Sequence, residues 1–210
     1  MTPTLLAGSV ALLAAAASGR AGIDLTEAAG FVTGGLAVWL LVGQNIWNWP
    51  IGIANNLVYG AIFFHARLYA DMSLQLVYLI LGIYGWISWS RGHTGDGGLR
   101  VTHLPLRLAL ACAGIGAAAT SGMGLYLARI NDSAPFVDAV TTVGSLIAQY
   151  LMTRKVLENW TLWIVVDIIS VGLYTSKHLY LTAVLFTAYI VMCAMGAVAW
   201  RRSLTGALHA

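Results

Sequence analysis

Charge is scarce in this chain. Lys and Arg number 11 and Asp and Glu 8 in 210 residues, so 9% are charged, against roughly 25% in a soluble domain. Hydrophobic residues make up 59%, and mean hydropathy is +0.79. A deficit that large, with apolar runs approaching about 20 residues, reads as an integral membrane protein with no sizeable soluble domain. Cysteine is scarcer still: Cys112 and Cys193 lie in different apolar stretches without C-x-x-C spacing. They read as small buried hydrophobes and say nothing about redox compartment.

Catalytic signatures are missing as well. There is no G-x(4)-G-K-[ST] stretch, which excludes ATP hydrolysis by a P-loop, and no G-x-S-x-G. No Ser or Cys has the sequence context of a nucleophile with a nearby His. The five histidines (65, 93, 103, 178 and 208) fall at loops or ends without metal-ligand spacing. The chain therefore reads as a non-enzyme with no metal and no cofactor. A net charge of +3 and a pI near 9.0 do not make it a nucleic-acid binder. Its basic residues stand singly or in pairs between apolar runs, as loop charges that orient a membrane protein do.

Hydropathy places seven spans, at about 28–45, 49–64, 70–90, 104–127, 136–153, 159–175 and 179–200. Very short connections such as "NIWN" and "HAR" force neighbouring helices to run antiparallel. The longest connection, "RGHTGDGGLRVTHLP", is glycine-rich and polar and reads as a flexible loop. Seven spans put the termini on opposite sides. Arg91, Arg100, Arg107, Arg154, Lys155, Arg201 and Arg202 fall on one side; Arg20, Arg67, Arg129 and Lys177 fall on the other. That excess puts the C-terminus in the cytoplasm and the N-terminus outside. At the start, "LLAGSVALLAAAAS" is apolar but has no basic residue before it, the first being Arg20. It reads as an interfacial or partly inserted helix rather than a cleaved signal peptide.

An internal repeat organises these spans. At one constant offset, without a gap, Asn48-Trp49 lies over Asn159-Trp160, Asn56 over Asp167, and Leu68-Tyr69 over Leu179-Tyr180. Leu74, Tyr78, Gly85, Trp89 and Arg91 meet Leu185, Tyr189, Gly196, Trp200 and Arg202, and Glu27 lies over Asp138. Each repeat holds three spans, and the fourth is left over as a linker that restores the direction of the chain. The expectation is an all-α integral membrane protein of seven transmembrane helices. They form two parallel three-helix repeats joined by a linker helix, a 3+1+3 order that transporters use. The chain then divides into an N-terminal segment (1–27), a first unit (28–91), a loop and linker helix (92–130), a second unit (131–202) and a cytoplasmic tail (203–210).

Polar stripes run along these helices at helical spacing. Asn159, Trp163, Asp167, Ser170 and Tyr174 share one face of the sixth span; Asn48, Gly52, Asn56, Tyr59 and Phe63 share the matching face of the second. The third span offers Asp71, Gln75, Tyr78, Gly85 and Trp86, the fifth Asp138, Thr142, Ser145 and Gln149, the seventh Thr182, Phe186 and Tyr189. A bland reading is that Asn56, Gln75 and Gln149 only hydrogen-bond neighbouring helices. Polar groups in hydrocarbon are costly unless paired or wet, so the set together implies an interior with water or ligand, on a path between the two units. Trp and Tyr beside amides and hydroxyls suit a flat heteroaromatic ring. Asp167, and Tyr59 or Trp163 by cation–π contact, would suit a positive ring; a neutral Asp167 that only hydrogen-bonds is the rival. With no cluster of Arg or Lys at mid-membrane, a free phosphate is a poor passenger.

Two blocks carry a family resemblance: "LYADMSLQLVYLILGIYGWISW" (68–89) and "AQYLMTRKVLENWTLWIVVDIISVGLYTSKHLYLTAVLF" (148–186). The "GWISW" and "ENWTLWIVVD" stretches look like W-x-x-W and N-W-x-x-W-I-x-x-D signatures, and over about 36–202 the chain resembles the PnuC family of vitamin transporters. The resemblance implies a bacterial inner-membrane protein with SWEET-like triple-helix units, often trimeric. It implies facilitated diffusion of nicotinamide riboside, which a cytosolic kinase traps by phosphorylation, with thiamine or riboflavin as passengers of relatives. It also implies binding through Gln75, Trp86, Trp89, Asn159, Trp163 and Asp167.

The expected ligand set joins these to the stripes. Asn56, Gln75, Gln149, Asn159 and Asp167 would meet ribose hydroxyls and the carboxamide, and Trp163, Tyr59 and Tyr78 would stack on the ring, with Trp86 and Trp89 beside them. Expected partners are the vitamin, the lipid bilayer, further copies of the chain and the kinase, and no nucleic acid. Three other readings stand open: a thiamine or riboflavin carrier, a proton-coupled symporter using Asp167, and a non-transporting receptor or scaffold, which would not need two matching polar stripes.

Overall fold

A computed structural model describes residues 25–65, 67, 69–91, 99–178 and 180–206. The expected interfacial helix before residue 25, residues 92–98 of the glycine-rich loop and the last four residues lie outside that set. Seven α-helices occupy the described residues: α1 Leu25–Val42, α2 Asn48–His65, α3 Tyr69–Arg91, α4 Leu106–Arg129, α5 Pro135–Thr153, α6 Asn159–Ser176 and α7 Tyr180–Gly206. Each grows from an apolar run without an internal proline. Pro50, Pro105 and Pro135 stand instead at or beside helix N-termini, where a missing N–H costs nothing.

Asp71–Arg91, Leu106–Arg129 and Thr182–Thr205 are long and apolar enough to cross a membrane by length and composition. The other helices have 18 or 19 residues, or about 27 Å at about 1.5 Å per residue, close to a hydrocarbon core of about 30 Å. In α2, α5 and α6, Asn, Gln, Asp and Ser lower the apolar content. Two boundaries differ from the sequence expectation. The first helix stops at Val42 because Gln44 takes a left-handed conformation, φ 53°. The last continues through Arg201 and Arg202 to Gly206, with no glycine or proline between Trp200 and that end.

The connections share one device. Gln44, Arg67, Asn131, Lys155 and His178 all have positive φ, between 51° and 60°, and each stands two residues past the end of its helix. At Gln44 the N–H bonds Leu41 O (2.9 Å) and the next N–H, of Asn45, reaches Leu40 O (2.9 Å). Lys155 repeats the pair with Met152 O (3.0 Å) and, through Val156, Leu151 O (3.1 Å); Asn131 and Asp132 do the same with Ala128 O and Leu127 O. These are Schellman-type ends, which use up carbonyls that a helix C-terminus would leave unpaired.

The chain forms two compact units, Met1–Ile87 and Ser88–Ala210, so the last four residues of α3 group with the second. In the first unit α1 packs on α2, and Asn55 Nδ2 donates to Thr33 Oγ1 across that contact at 2.8 Å. α2 also meets α3. A Cβ on Gly85 would run into the Trp49 ring, and one on Gly82 would lie 3.1 Å from Ile53 Cγ1. In the second unit α4 packs on α5, α5 on α6 and α6 on α7. There a Cβ on Gly196 would lie 2.5 Å from Trp160 Cη2 and Cζ2. Trp49–Gly85 and Trp160–Gly196 are the same contact at the offset of the sequence repeat, and the corner pairs Gln44/Lys155 and Arg67/His178 recur at that same offset.

Candidate ligand-binding site

The site is built on the first turns of α6. Leading into it, Glu158 clamps the segment before α4: its Oε2 accepts from Leu104 N–H and its Oε1 meets His103 Nδ1, both at 2.8 Å. Thr102 and Val156 form a parallel bridge beside this clamp. Thr102 N–H donates to Lys155 O (3.1 Å), and Leu157 N–H returns to Thr102 O (2.9 Å). Two backbone bonds and a carboxylate thus fix the approach to Asn159.

Asn159 is fully buried. Its Nδ2 donates to Val156 O at 2.6 Å, and Asn48 makes the equivalent bond to Asn45 O at 2.7 Å, so one amide N–H at each position serves the corner. Asn159 Oδ1, Trp160 Nε1 and Trp163 Nε1 are buried and have no hydrogen-bond partner among the described residues. An unsatisfied buried polar atom costs about 1–3 kcal/mol. Asn159 and Trp163 lie one turn apart and mark a face suited to a polar occupant, while the Trp160 ring packs on Trp200.

Asp167 follows Trp163 one turn on, at 4% exposure. Its hydrogen-bond partner among the described residues is Cys193 on α7, whose Sγ lies 3.8 Å from Oδ2; Oδ1 has none. The same face continues to Ser170, also buried, and to Tyr174, whose ring is 5.2 Å from Phe186, itself 6.0 Å from Tyr189. From α5, Ser145 is buried and donates to Thr142 O at 2.9 Å; Gln149, one turn on, is half-buried. Gly144 allows close packing there, since its Cβ would lie 3.0 Å from Val166 Cγ2.

Trp89 is placed differently from the other expected ligand residues. It has no exposed surface. Its ring lies 6.1 Å from that of Trp200, which stands edge-on to Trp160 at 5.4 Å. Lys155 lies over the Trp89 ring, with Nζ 4.3 Å from its centroid. Lys155, counted among loop cations in the sequence, is buried at 5% exposure, and burial lowers its ammonium below the ordinary lysine range.

In the first unit the expected residues divide. Asn56, Tyr59, Gln75 and Tyr78 are half-buried, while Trp86 is 42% exposed. A Cβ on Gly60 would lie 3.8 Å from Gln75 Cβ, which places Gln75 against α2. Tyr59 stacks obliquely on Phe63 at 5.9 Å. Among the described residues no group of three His, Cys, Asp or Glu could hold a metal.

Sequence reasoning missed Cys193 and Lys155. Cys193 continues the α7 stripe Thr182, Phe186, Tyr189 by a further step of four, a usable signal. Lys155 gave none, because a basic residue between two spans reads as a loop charge.

The arrangement, an apolar helical body with buried donors and acceptors lacking partners, can bind and pass a polar solute. Known proteins point the same way. Residues 24–202 match the family described as nicotinamide mononucleotide transporter. The chain is 30% identical to the nicotinamide riboside transporter PnuC of Escherichia coli K12 over 216 residues, covering 88% of this chain and 89% of that protein. It is 25% identical to the riboflavin/roseoflavin transporter RibM of Streptomyces davaonensis, covering 83% and 84%. The crystal structure of the vitamin B3 transporter PnuC matches with a TM-score of 0.72 at 24% identity, over 98% of this chain and 93% of that one. A family match across most of the residues and 30% identity to a full-length relative agree with the seven-helix fold: the chain is a member of the nicotinamide mononucleotide transporter family, a family of membrane transporters and not of enzymes.

Proposed function

We propose that the chain imports nicotinamide riboside by facilitated diffusion across a bacterial inner membrane. The observation that carries this reading is the pair of buried polar atoms one turn apart on α6, Asn159 Oδ1 and Trp163 Nε1, followed on the same face by Asp167, whose Oδ2 meets Cys193. These groups match the hydroxyls, carboxamide and positive ring of a pyridine nucleoside. Asn159 accepts through Oδ1, one N–H being committed to Val156. Trp163 stacks or donates, and Asp167 faces the cationic end.

The same residues favour the riboside over its phosphate. Of the described Arg residues within helices, Arg91, Arg107 and Arg129 stand in first or last turns and Arg201 and Arg202 in the turn before the last of α7, and the buried cation Lys155 is taken up by Trp89. A phosphate crossing mid-span would meet no counter-charge. In this proposal Asn56, Tyr59, Gln75, Tyr78, Trp86 and Gln149 complete the ligand set, and Trp89 supports it from behind Trp200.

The mechanism we infer is alternating access of two parallel three-helix repeats joined by α4. It is supported by the recurrence, at the offset of the sequence repeat, of the Trp–Gly contact and two left-handed corners. The C-terminus would lie in the cytoplasm, the protein would assemble as a trimer, and a cytosolic kinase would trap the product. A second reading, riboflavin import, is favoured by the likeness to RibM.

The test is uptake by purified protein in lipid vesicles. Labelled nicotinamide riboside should equilibrate, indifferent to an imposed pH gradient, while its phosphate stays outside. Asp167→Ala and Trp163→Ala should each weaken binding tenfold or more in a protein that still melts cooperatively. Equilibration of riboflavin or thiamine instead would replace the substrate. Equilibration of none of the three would end the vitamin reading, and uptake that follows a proton gradient would replace facilitated diffusion with symport.

A further inference from the structure

Asp167 and its thiol partner carry one inference further, resting on the reading that Asp167 faces the ligand. Cys193 and Asp167 are 6% and 4% exposed, on neighbouring helices, with Sγ 3.8 Å from Oδ2. That distance is within reach of a thiol hydrogen bond, in which S–H donates weakly. An ionised carboxylate only accepts, so a buried one needs a donor from elsewhere. Among the described residues the thiol is the donor it has.

The matching positions of the first repeat show the alternative solution. Asp167 corresponds to Asn56, which brings its own N–H donors. Cys193 corresponds to Gly82, where even a Cβ would come within 3.1 Å of Ile53 Cγ1, so a thiol there would displace Ile53. Carboxylate and thiol stand together in the second unit, amide and glycine in the first. The thiol accompanies the residue that needs a donor.

We propose that Cys193 is a positioning residue for Asp167. Its S–H holds Oδ2 toward α7, which fixes the carboxylate rotamer and turns Oδ1 toward the ligand. It thereby tunes affinity for a ligand with a positive or donor-rich end, without touching that ligand's recognised atoms itself.

The experiment uses the full chain in lipid nanodiscs with Cys112→Ala as background, so that Cys193 is the remaining thiol. Its S–H stretching band, in a clear region of the infrared spectrum, should shift toward the free-thiol position in Asp167→Ala. Asp167→Val serves as the second variant if the first does not melt cooperatively. An unshifted band overturns the pair. In vesicles, Cys193→Ala should raise the KM for nicotinamide riboside roughly three- to fivefold at unchanged kcat, the size of one weak hydrogen bond. Cys193→Ser, which keeps a donor, should return it to within about twofold. Equal KM in Cys193→Ala and the parent, or a Ser variant as impaired as the Ala variant, overturns the positioning role. No uptake of nicotinamide riboside by the parent would sink the functional reading instead, and the thiol band would then decide the pair alone.

Discussion

Adding one methyl group at Gly196 tests how the second unit is packed. A Cβ there would lie 2.5 Å from Trp160 Cη2 and Cζ2 and 2.6 Å from Cε2, well inside the optimum of about 3.5–4.0 Å for carbon contacts. Trp160 has little room to retreat, since it is 1% exposed and stands edge-on to Trp200 at 5.4 Å. Overpacking of this kind costs about 1–3 kcal/mol. In a chain of this size each kcal/mol moves the melting temperature by roughly 2–4 °C, so Gly196→Ala should melt roughly 2–12 °C below the parent. Gly85→Ala, against Trp49, should fall by a similar amount. Gly172→Ala is the control: nothing lies within 4 Å of its Cβ, and Ala is the better helix former, so it should melt at or above the parent. Trp160→Phe should recover part of the loss in Gly196→Ala and none in Gly85→Ala. Thermal unfolding in a mild detergent, followed by tryptophan fluorescence, reads the whole set. If Gly196→Ala and Gly172→Ala melt together at the parent temperature, the close helix approach is not there and the reasoning fails.

Other consequences can be measured in the same preparation. Because burial lowers the Lys155 ammonium, the unfolded chain binds the extra proton between the folded and the ordinary lysine values, so stability should rise with pH through that window. Lys155→Met should flatten the rise, and an identical slope in both proteins would show that Lys155 titrates as an exposed amine. Glu158→Ala should free Leu104 N–H and cost about 1 kcal/mol. Hydrogen exchange at Leu104 should speed up while α5 stays protected, and unchanged exchange would mean the clamp holds nothing. Asn48→Ala and Asn159→Ala each lose a side-chain bond to a corner carbonyl, worth about 1 kcal/mol, but Asn159→Ala also removes the unpartnered Oδ1. It should destabilise less and weaken nicotinamide riboside binding more; calorimetry and melting curves that rank the two variants the other way would refute this.

How much of this was legible in the sequence depends on which physical signal each feature leaves. The helices were, because an apolar run of about 20 residues bounded by polar turns has few alternatives in a bilayer. Their ends were less so: α1 stops early at a left-handed Gln44, a residue type that does not announce such a corner, and α7 runs on through two arginines. The face of α6 carrying Asn159, Trp163 and Asp167 followed from steps of four. What those side chains already hold did not, since the Asn159 bond to Val156 O depends on a backbone corner invisible in the residue names. Trp49 and Gly85 could be paired with Trp160 and Gly196 by spacing, yet that the tryptophans press on the glycines is a fact of tertiary contact. The contact between Trp89 and Lys155 was not legible. An aromatic near a motif reads as a ligand wall and a lysine between spans reads as solvated, while the fold puts one on the other.

The left-handed corners also bear on how motion can travel. Each closes a helix with short backbone bonds at a fixed φ, held by residues as different as Gln44, Arg67, Asn131, Lys155 and His178. A corner so made behaves as a stiff elbow rather than a slack hinge. Between α5 and α6 it is braced further by the Thr102–Val156 bridge and the Glu158 clamp. In the alternating access proposed above, a displacement at Asp167 would therefore pass through Asn159 into α5 rather than be taken up at the corner. In that proposal a helical hairpin joined like this would swing as a lever, turning a small shift at the carboxylate into a larger stroke at the far helix end.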